Sequence, residues 1–402
     1  MAISALKVCG PYKGPSGYDH HVREFVRELH RLGVAVQLED FPEWSLAKLP
    51  THLRDSWFDT LDRPTGARVV LHFLMPHQVR ARQRQVNVNY TMFEATRVPP
   101  AWVTCNQAHD LLVVPTDSSR RAWLASGMPE ERIRLCPLGV NPALFAKPAT
   151  PMALRASGGE SLAQYRARFL NVSELGPRKN LLGLLRGWLR ATSRDDDAVL
   201  IIKLGCYVPG WRELFERHLE ALQAGERKRL DEAAPVHVID EVFSDADMPR
   251  LYAAATHYIS VSFGEGWDQA MVEAAASGLS LIAPNHSAYT TYLDASVARL
   301  IPSREVPAAF PPGSSTAQLF RGANWWQPDE EAAVAFIRAA IDGRDSSLGS
   351  ARDRILRSYT WEAATRRLIT LLSEAEARGA RPSFWSLLRS YTSAGAARTP
   401  RP

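Results

Sequence analysis

Apolar and polar positions alternate along the chain in a pattern that predicts strands and helices in turn. The first apolar segment, "ALKVCG", predicts a strand, and a loop rich in glycine and proline follows it. Val22, Phe25 and Leu29 then recur at helical spacing, and Gly33 ends that helix before the next apolar segment. A strand, a glycine loop, a helix and a second strand are the opening of a parallel α/β sheet.

The same alternation occurs twice, on either side of a segment without periodicity. That segment is rich in Pro, Ala, Gly and Ser and predicts a linker. Ligands of such sheets bind at the carboxyl ends of the strands, so two Rossmann-like domains are expected to face each other across a cleft. The predicted regions are an N-terminal domain over 1–146, a linker over 147–167, a C-terminal domain over 168–360, terminal helices over 361–389 and a flexible tail over 390–402. The helix from about 361 can pack back on the N-terminal domain.

The composition is that of an ordinary globular protein with ample apolar residues for two cores. Of the 402 residues, 46% are hydrophobic and 23% are charged, and the net charge is +5. A mildly basic chain fits an anionic small molecule, an acidic membrane surface or a nucleic acid. No basic run is interleaved with aromatic residues, so a nucleic-acid partner is not expected.

The cysteines and the apolar segments indicate the cellular compartment of the protein and its relation to membranes. Cys9, Cys105, Cys136 and Cys206 are irregularly spaced without a Cys-x-x-Cys pair, which indicates reduced thiols in a cytoplasmic protein. No apolar run reaches the roughly 18 residues of a membrane span. After Glu376 the chain has five arginines and no acid, with apolar residues over 384–388 among them. That tail either docks on the body of the protein or contacts the inner face of a membrane peripherally.

Two glutamates mark the segment 261–278, "VSFGEGWDQAMVEAAASG". Glu265 stands between two glycines, so the backbone there can turn sharply and approach a ligand. A helix is predicted over 268–278, and its first turn offers unpaired N–H groups to an anion. Glu265 and Glu273 lie roughly 12 Å apart at helical spacing, which is too far to share a proton or a metal. They are suited to hydroxyl-rich groups at either end of a diphosphate, as in a nucleotide sugar. The alternative is a loop carboxylate and a solvated helix residue.

This segment resembles the Glu-(seven)-Glu motif of retaining glycosyltransferases of the GT-B fold, in particular glycosyltransferase family four. Other segments resemble that family in the same order: "GPSGYDHH", "MFEATRVPPAWV", "DLLVVPTDSSRRAWLASG", "IRLCPLGVNPALF", "GPRKN", "DADMPRLYAAATHYISVS" and "YTWEAATRRLITLL". The resemblance covers about residues 5–375. It implies transfer of a hexose from a nucleoside diphosphate sugar to a hydroxyl of a glycan, glycolipid or small metabolite, with retention and without a cofactor or metal. UDP and GDP are the favoured donor nucleotides.

The resemblance also implies roles for individual residues. Glu265, Lys179 and Arg178 would be catalytic, because fixed cations stabilise the charge of a departing nucleoside diphosphate. Glu273 would bind the ribose. The donor sugar and phosphates would be contacted by Gly14, Gly17, Gly266, Trp267 and Asp268. The acceptor side would carry His20, Tyr90 and Glu94.

The sequence departs from the family pattern at two places. Ser173 stands where many members have an arginine, six residues before the lysine, and residues 89–91 lack a histidine common at the end of that strand. These departures keep open a non-catalytic GT-B protein that binds a sugar nucleotide or scaffolds a pathway. A GT-B epimerase or phosphorylase is a further alternative. No second carboxylate is placed for the double displacement of glycosidases, so retention is expected to follow a front-side, ion-pair-like route.

Other signals compete with this interpretation. Gly10, Gly14 and Gly17 do not have the G-x-G-x-x-G spacing of a dinucleotide site. Asp-x-Asp pairs over 195–197 and 245–247 bind metal in a different glycosyltransferase fold, but here one lies in a polar loop and the other starts a helix. The histidines show no metal-binding pattern. Trp267 is a sugar platform or a packing residue, and the tryptophans at 325–326 are expected to pack.

Overall fold

A computed structural model describes residues 3–44, 47–156, 158–205, 210–311, 314–344 and 348–379. These residues form fourteen strands and twelve α-helices. The strands are β1 (Ala5–Cys9), β2 (Ala35–Glu39), β3 (Val69–Phe73), β4 (Val86–Tyr90), β5 (Leu111–Val114), β6 (Ile133–Leu135), β7 (Ala167–Glu174), β8 (Ala198–Gly205), β9 (Val236–Ile239), β10 (His257–Ile259), β11 (Ser280–Pro284), β12 (Arg299–Ile301), β13 (Ser303–Pro307) and β14 (Asn324–Pro328). The helices are α1 (Gly17–Arg31), α2 (Pro100–Asn106), α3 (Asp117–Ala125), α4 (Pro142–Phe145), α5 (Leu181–Ala191), α6 (Trp211–Glu226), α7 (Met248–Ala253), α8 (Gln269–Ala276), α9 (Tyr289–Tyr292), α10 (Glu330–Ile341), α11 (Arg352–Ser358) and α12 (Trp361–Gly379).

Two parallel six-stranded sheets form the two halves of the protein. The first has the order β2-β1-β3-β4-β5-β6, and the second has the order β12-β11-β10-β7-β8-β9. Every residue of β3, β4 and β5 is buried, as expected for central parallel strands covered by helices on both faces. The prediction of two Rossmann-like α/β halves is therefore confirmed.

The antiparallel pair β13–β14 was not predicted from the sequence. Its Trp325 is buried and stacks on Phe263 at 5.6 Å between ring centroids. The same hairpin reaches the first half, where the Thr96 amide donates to the carbonyl of Asn324 at 3.0 Å. The hairpin thus joins the halves along one side of the cleft, and Trp325 packs as expected.

The chain passes between the halves at residues 139–140 and 359–361. The Val140 amide donates to Tyr359 at 2.9 Å, and the Trp361 amide donates to Val140 at 3.1 Å. A Cβ on Gly139 would lie 2.2 Å from the carbonyl carbon of Thr360, so only glycine allows this approach. Beyond the crossing, α12 packs against α1 and β4 of the first half.

Several expectations concern residues outside those described. Cys206, the segment 384–388 and the tail over 390–402 are among them. Cys9, Cys105 and Cys136 are free thiols. None of the described helices combines the length and apolar character that crossing a membrane requires.

Candidate active site

A cavity of about 1090 Å³ lies between the two halves. Its wall includes the N-terminus of α1, the loop after β4, the carboxyl end of β8 and the loops after β7, β9 and β10. Ten of the residues predicted for the site line it: Gly17, His20, Glu94, Arg178, Lys179, Glu265, Gly266, Trp267, Asp268 and Glu273. Gly14 and Tyr90 lie outside its wall. The cavity has the size of a site for a small molecule or cofactor.

Glu265 is the centre of a charged cluster at the end of β10. Its side chain is almost fully buried, and its carboxylate accepts from Lys179 Nζ at 2.8 Å and from Arg178 Nη1 at 2.9 Å. The hydroxyl of Ser262 donates to the same carboxylate at 2.7 Å. The short turn after β7 supplies both cations, because β7 and β10 are neighbours in the sheet. One buried carboxylate therefore fixes two cations on the cavity wall.

The ionisation of this cluster follows from burial and charge. Burial alone would raise the pKa of Glu265, but Arg178 and Lys179 outweigh it and hold that pKa below its ordinary value. Burial likewise acts to lower the pKa of Lys179, and the charge of Glu265 reverses the effect and raises it. The cluster is therefore fully ionised near neutral pH, with two positive charges and one negative charge.

Helix α8 begins beside this cluster. Asp268 caps it in a left-handed backbone conformation, with φ of +60°, and its carboxylate accepts from the Met271 amide at 3.3 Å. The hydroxyl of Tyr289 donates to the other oxygen of Asp268 at 2.8 Å. Burial and the neighbouring Glu265 raise the pKa of Asp268. The predicted start of the helix near Asp268 agrees with the structure.

Gly266 and Trp267 lead into α8. A Cβ on Gly266 would lie 2.8 Å from Met92 of the first half, so the absence of a side chain lets the halves approach here. The ring of Trp267 is buried against Tyr292 and Tyr359, with centroids 5.2 and 5.7 Å away. These contacts favour packing rather than a sugar platform for Trp267.

Glu273 lies on α8 with its carboxylate at the cavity. Tyr252 donates to one oxygen at 2.9 Å, and Gln269 donates to the other at 3.1 Å. Burial raises the pKa of Glu273, and the nearby His20 opposes that effect. The carboxylate is thus buried and oriented, not solvated, which disfavours the interpretation of Glu273 as a surface residue.

His20 lines the cavity close to two acidic residues. Its Nε2 is 3.9 Å from Glu273, and its Nδ1 is 3.5 Å from Asp245, both in the second half. His20 therefore borders Glu273, the residue expected to bind the ribose, and its place on the acceptor side stays a prediction. Burial acts to lower its pKa, but Asp245 raises it above the ordinary value.

Tyr90 does not line the cavity. Tyr90 ends β4 with its side chain fully buried, and its hydroxyl donates to the carbonyl of Cys136 at 2.5 Å. Glu94, four residues later, does reach the cavity and lies 3.9 Å from Arg178. Burial and the neighbouring Glu265 raise the pKa of Glu94, while Arg178 opposes them.

The glycine loop before α1 is shaped by two buried charged residues. Asp19 accepts from the Gly14 amide at 2.6 Å, and Arg23 donates to the Gly14 carbonyl at 2.8 Å. A Cβ on Gly14 would lie 2.7 Å from the Asp19 carboxylate. Gly14 therefore supports the loop through its contacts with Asp19 and Arg23, away from the cavity wall. Gly17, the first residue of α1, lines the cavity.

Ser173 contributes no charge to the wall. Its hydroxyl donates to Asn171 at 2.8 Å. The wall contains another cation that the sequence analysis missed, Lys203, which is buried at the carboxyl end of β8. The position of Lys203 as the one charged residue in the otherwise apolar strand segment "AVLIIKLG" could have indicated a functional cation.

One group of side chains has the geometry of a possible metal site within the described residues. It consists of His20, Glu24 and Asp245. Arg27 pairs with Glu24 at 2.5 Å and lies 3.4 Å from Asp245, so a guanidinium already neutralises these carboxylates. The Asp-x-Asp pair over 195–197 lies away from the cavity wall.

Comparisons with known proteins show the fold. No protein-family model matches the sequence, and no curated protein matches it. HepE from Anabaena, solved with UDP and glucose, is similar with a TM-score of 0.60 and 12% identity, over 92% of this chain and 100% of that chain. Sucrose-phosphate synthase from Thermosynechococcus elongatus gives 0.61 and 16% identity, over 93% and 100%. A glycosyltransferase from Rickettsia africae gives 0.59 and 14% identity, over 93% and 98%. The chain has the two-domain α/β GT-B fold, as predicted.

Proposed function

We propose that this protein transfers a hexose from a nucleoside diphosphate sugar to a hydroxyl acceptor, with retention of configuration. The observation that carries the proposal is the cluster of Glu265, Lys179 and Arg178 beside the start of α8, in a cavity between the halves of a GT-B fold. Proteins of similar fold include the glycosyltransferase from Rickettsia africae and HepE in complex with UDP and glucose. The donor would lie along the second half, and the acceptor would enter from the first.

The cluster suits a diphosphate leaving group. Lys179 and Arg178 lie beside the start of α8, and these cations and the N–H groups of its first turn would together stabilise the negative charge that develops as the nucleoside diphosphate departs. This chemistry needs no metal. The neutral Ser173 leaves the task to Lys179 and Arg178, both held by Glu265.

The two glutamates fit the ends of such a donor. Glu265 adjoins both cations and would accept hydroxyls of the transferred sugar, and the oriented carboxylate of Glu273 would accept the ribose hydroxyls. Both oxygens of Glu265 are already engaged, so it is a poor nucleophile for a covalent sugar intermediate. A front-side, ion-pair-like route accounts for retention without one.

The alternative is a non-catalytic sugar-nucleotide-binding protein, which the neutral Ser173 favours. A thermal-shift screen against UDP-, GDP-, ADP- and dTDP-sugars tests donor binding, because a ligand at 100 times its Kd adds about 2.7 kcal/mol of stability. We expect one nucleotide family to stabilise the wild type, and Glu273→Ala to lose most of that shift. Donor binding without any release of nucleoside diphosphate, with or without acceptors, would favour the non-catalytic alternative. Absence of any shift would contradict the proposal.

A release assay separates the remaining possibilities. A transferase releases nucleoside diphosphate in step with a glycosylated acceptor, and an epimerase changes the sugar without releasing it. Candidate acceptors are glycans, glycolipids and small metabolites. A peripheral membrane contact through the basic tail remains a prediction, testable by sedimentation with anionic vesicles.

A further inference from the structure

We propose that Lys203 contacts the nucleobase of the donor and selects bases that present a carbonyl oxygen over adenine. The inference rests on the proposed function and adds the determinant of base specificity.

The order of strands in the second sheet places Lys203 beyond the diphosphate site. Along the carboxyl edge the order is β10, β7, β8, β9. Glu265 follows β10, Lys179 follows β7, Lys203 lies in β8 and Phe243 follows β9, and all four line the cavity. Neighbouring strands are about 4.8 Å apart. A donor with its sugar at Glu265 and its diphosphate at Lys179 therefore extends its nucleoside toward β8 and β9.

Lys203 is a buried cation whose ammonium is available to a ligand. The residue is 8% exposed, and its Nζ lies 5.6 Å from the ring centroid of Phe243. Within the described residues, the Lys203 side chain makes no hydrogen bond and no ion pair within 4.0 Å. A buried ammonium without an acceptor is unfavourable, so a ligand oxygen at this place would relieve the cost.

The charges around Lys203 also separate it from the diphosphate site. Burial lowers its pKa, and only the carboxylates of Asp240 and Glu241, just after β9, oppose that effect. For Lys179, by contrast, burial acts to lower the pKa, and the charge of Glu265 outweighs that effect and raises it. Lys203 thus belongs to the β8–β9 end of the cavity.

The chemistry of an ammonium group explains the selectivity. A lysine ammonium donates hydrogen bonds and accepts none. Guanine carries a carbonyl oxygen at C6 and uracil carries one at C4, whereas adenine carries an amino group at C6, which would place a second hydrogen-bond donor against Lys203. A site built to pair with one group rejects an analogue that leaves it unpaired. The stem of Lys203 and the ring of Phe243 would contact the face or edge of the base.

Calorimetric titration of Lys203→Met with UDP, GDP, ADP and uridine tests the inference. Methionine keeps the apolar stem and removes the donor. We expect UDP, GDP and uridine each to bind about tenfold more weakly and ADP to bind unchanged, since a hydrogen bond to a charged group is lost only for the carbonyl bases. Lys203→Gln, whose amide both donates and accepts, should reduce the difference in affinity between UDP and ADP without abolishing the binding of either nucleotide. Lys147→Met, which removes an exposed ammonium off the cavity wall, is the matched control.

The outcomes distinguish this inference from the function on which it rests. If the wild type binds UDP, and the ratios of the Kd values for UDP, uridine and ADP are the same in Lys203→Met as in the wild type, the inference about Lys203 fails while the proposed function stands. A loss for UDP with none for uridine would assign Lys203 to the diphosphate and also overturn it. If the wild type binds no nucleotide, both proposals fail. The melting temperature of each unliganded variant shows whether it is folded.

Discussion

Replacing Glu265 with glutamine should lower the stability of the unliganded protein and raise its affinity for UDP. The change keeps the shape of the side chain but removes the one negative charge that Lys179 and Arg178 share. Breaking a fully buried ion pair costs about 3–5 kcal/mol. Here the side chains of Lys179 and Arg178 are 17% and 21% exposed, and Glu94 remains near Arg178, so we expect a loss of about 2 kcal/mol. That loss lowers the melting temperature by about 4–8 °C.

The effect on UDP has the opposite sign. The diphosphate no longer competes with a carboxylate for the two cations, so UDP should bind about tenfold more tightly to Glu265→Gln, while transfer of the sugar is lost. Calorimetry with UDP and a melting curve without ligand measure the two effects, and Glu131→Gln, at an exposed site, is the control. A variant with unchanged stability and weaker UDP binding would refute the reasoning, because Glu265 would then neither hold the cations nor compete for them.

The pH dependence gives an independent check on the same pair. The pKa of Glu265 is lowered by folding, so its contribution to stability is complete above the ordinary glutamate pKa of about 4.3 and is lost as the pH falls through the folded value. The difference in unfolding free energy between wild type and Glu265→Gln should therefore be largest near neutral pH and shrink on acidification. A difference that does not change with pH would show that the charge of Glu265 is not what stabilises the cluster.

Four further variants test other parts of the site and fold. Glu273→Gln should weaken binding of UDP and of uridine by a similar factor of about ten, measured by calorimetry, because both ligands carry the ribose. Asp268→Asn should be more stable than the wild type by on the order of 1 kcal/mol near neutral pH. Because folding raises the pKa of Asp268, the folded protein favours the protonated carboxyl, and that stabilisation is lost as the pH rises. Melting curves at pH 4 and 7.5 should show the advantage of the variant only at the higher pH. Tyr90→Phe should cost about 1 kcal/mol in chemical denaturation but leave the Kd and KM of the donor unchanged, because its hydroxyl meets only a core carbonyl. Gly139→Ala should destabilise by more than about 3 kcal/mol or abolish soluble expression, since its Cβ would overlap the backbone at Thr360.

Periodicity was sufficient for most of the elements that carry the site. The two α/β halves and the helix with Glu273 have the positions that the apolar pattern indicated, whereas the turn with Arg178 and Lys179 was expected only from the family resemblance. The halves and this helix depend on local signals, namely an apolar run, glycines at a turn and a cap at Asp268. That Glu265, Lys179 and Arg178 would belong to one site was expected only from the family resemblance, and they meet because β7 and β10 are neighbours in the sheet.

Contacts between distant elements could not be predicted in this way. Tyr90 and Glu94 are four residues apart, yet Tyr90 is buried in the core and Glu94 lines the cavity, because β4 ends at Tyr90 and Glu94 lies in the loop beyond it. His20 meets Glu273 only because the two halves approach each other. The β13–β14 hairpin could not be predicted because its packing depends on contacts with Phe263 and with Thr96 of the other half.

The neutral Ser173 changes how the charges of the site must be distributed. A cation at that position would stand on β7 itself, whereas Arg178 reaches from the following turn and donates to the Gly264 carbonyl at 2.6 Å as well as to Glu265. Arg178 is therefore tied to the loop after β10 by two contacts, and Lys179 by one. A ligand diphosphate can recruit Lys179 by breaking a single ion pair, while Arg178 stays with the backbone of the loop. This asymmetry predicts that Lys179, rather than Arg178, shifts toward a bound diphosphate, while Arg178 keeps the loop and the carboxylate of Glu265 in place.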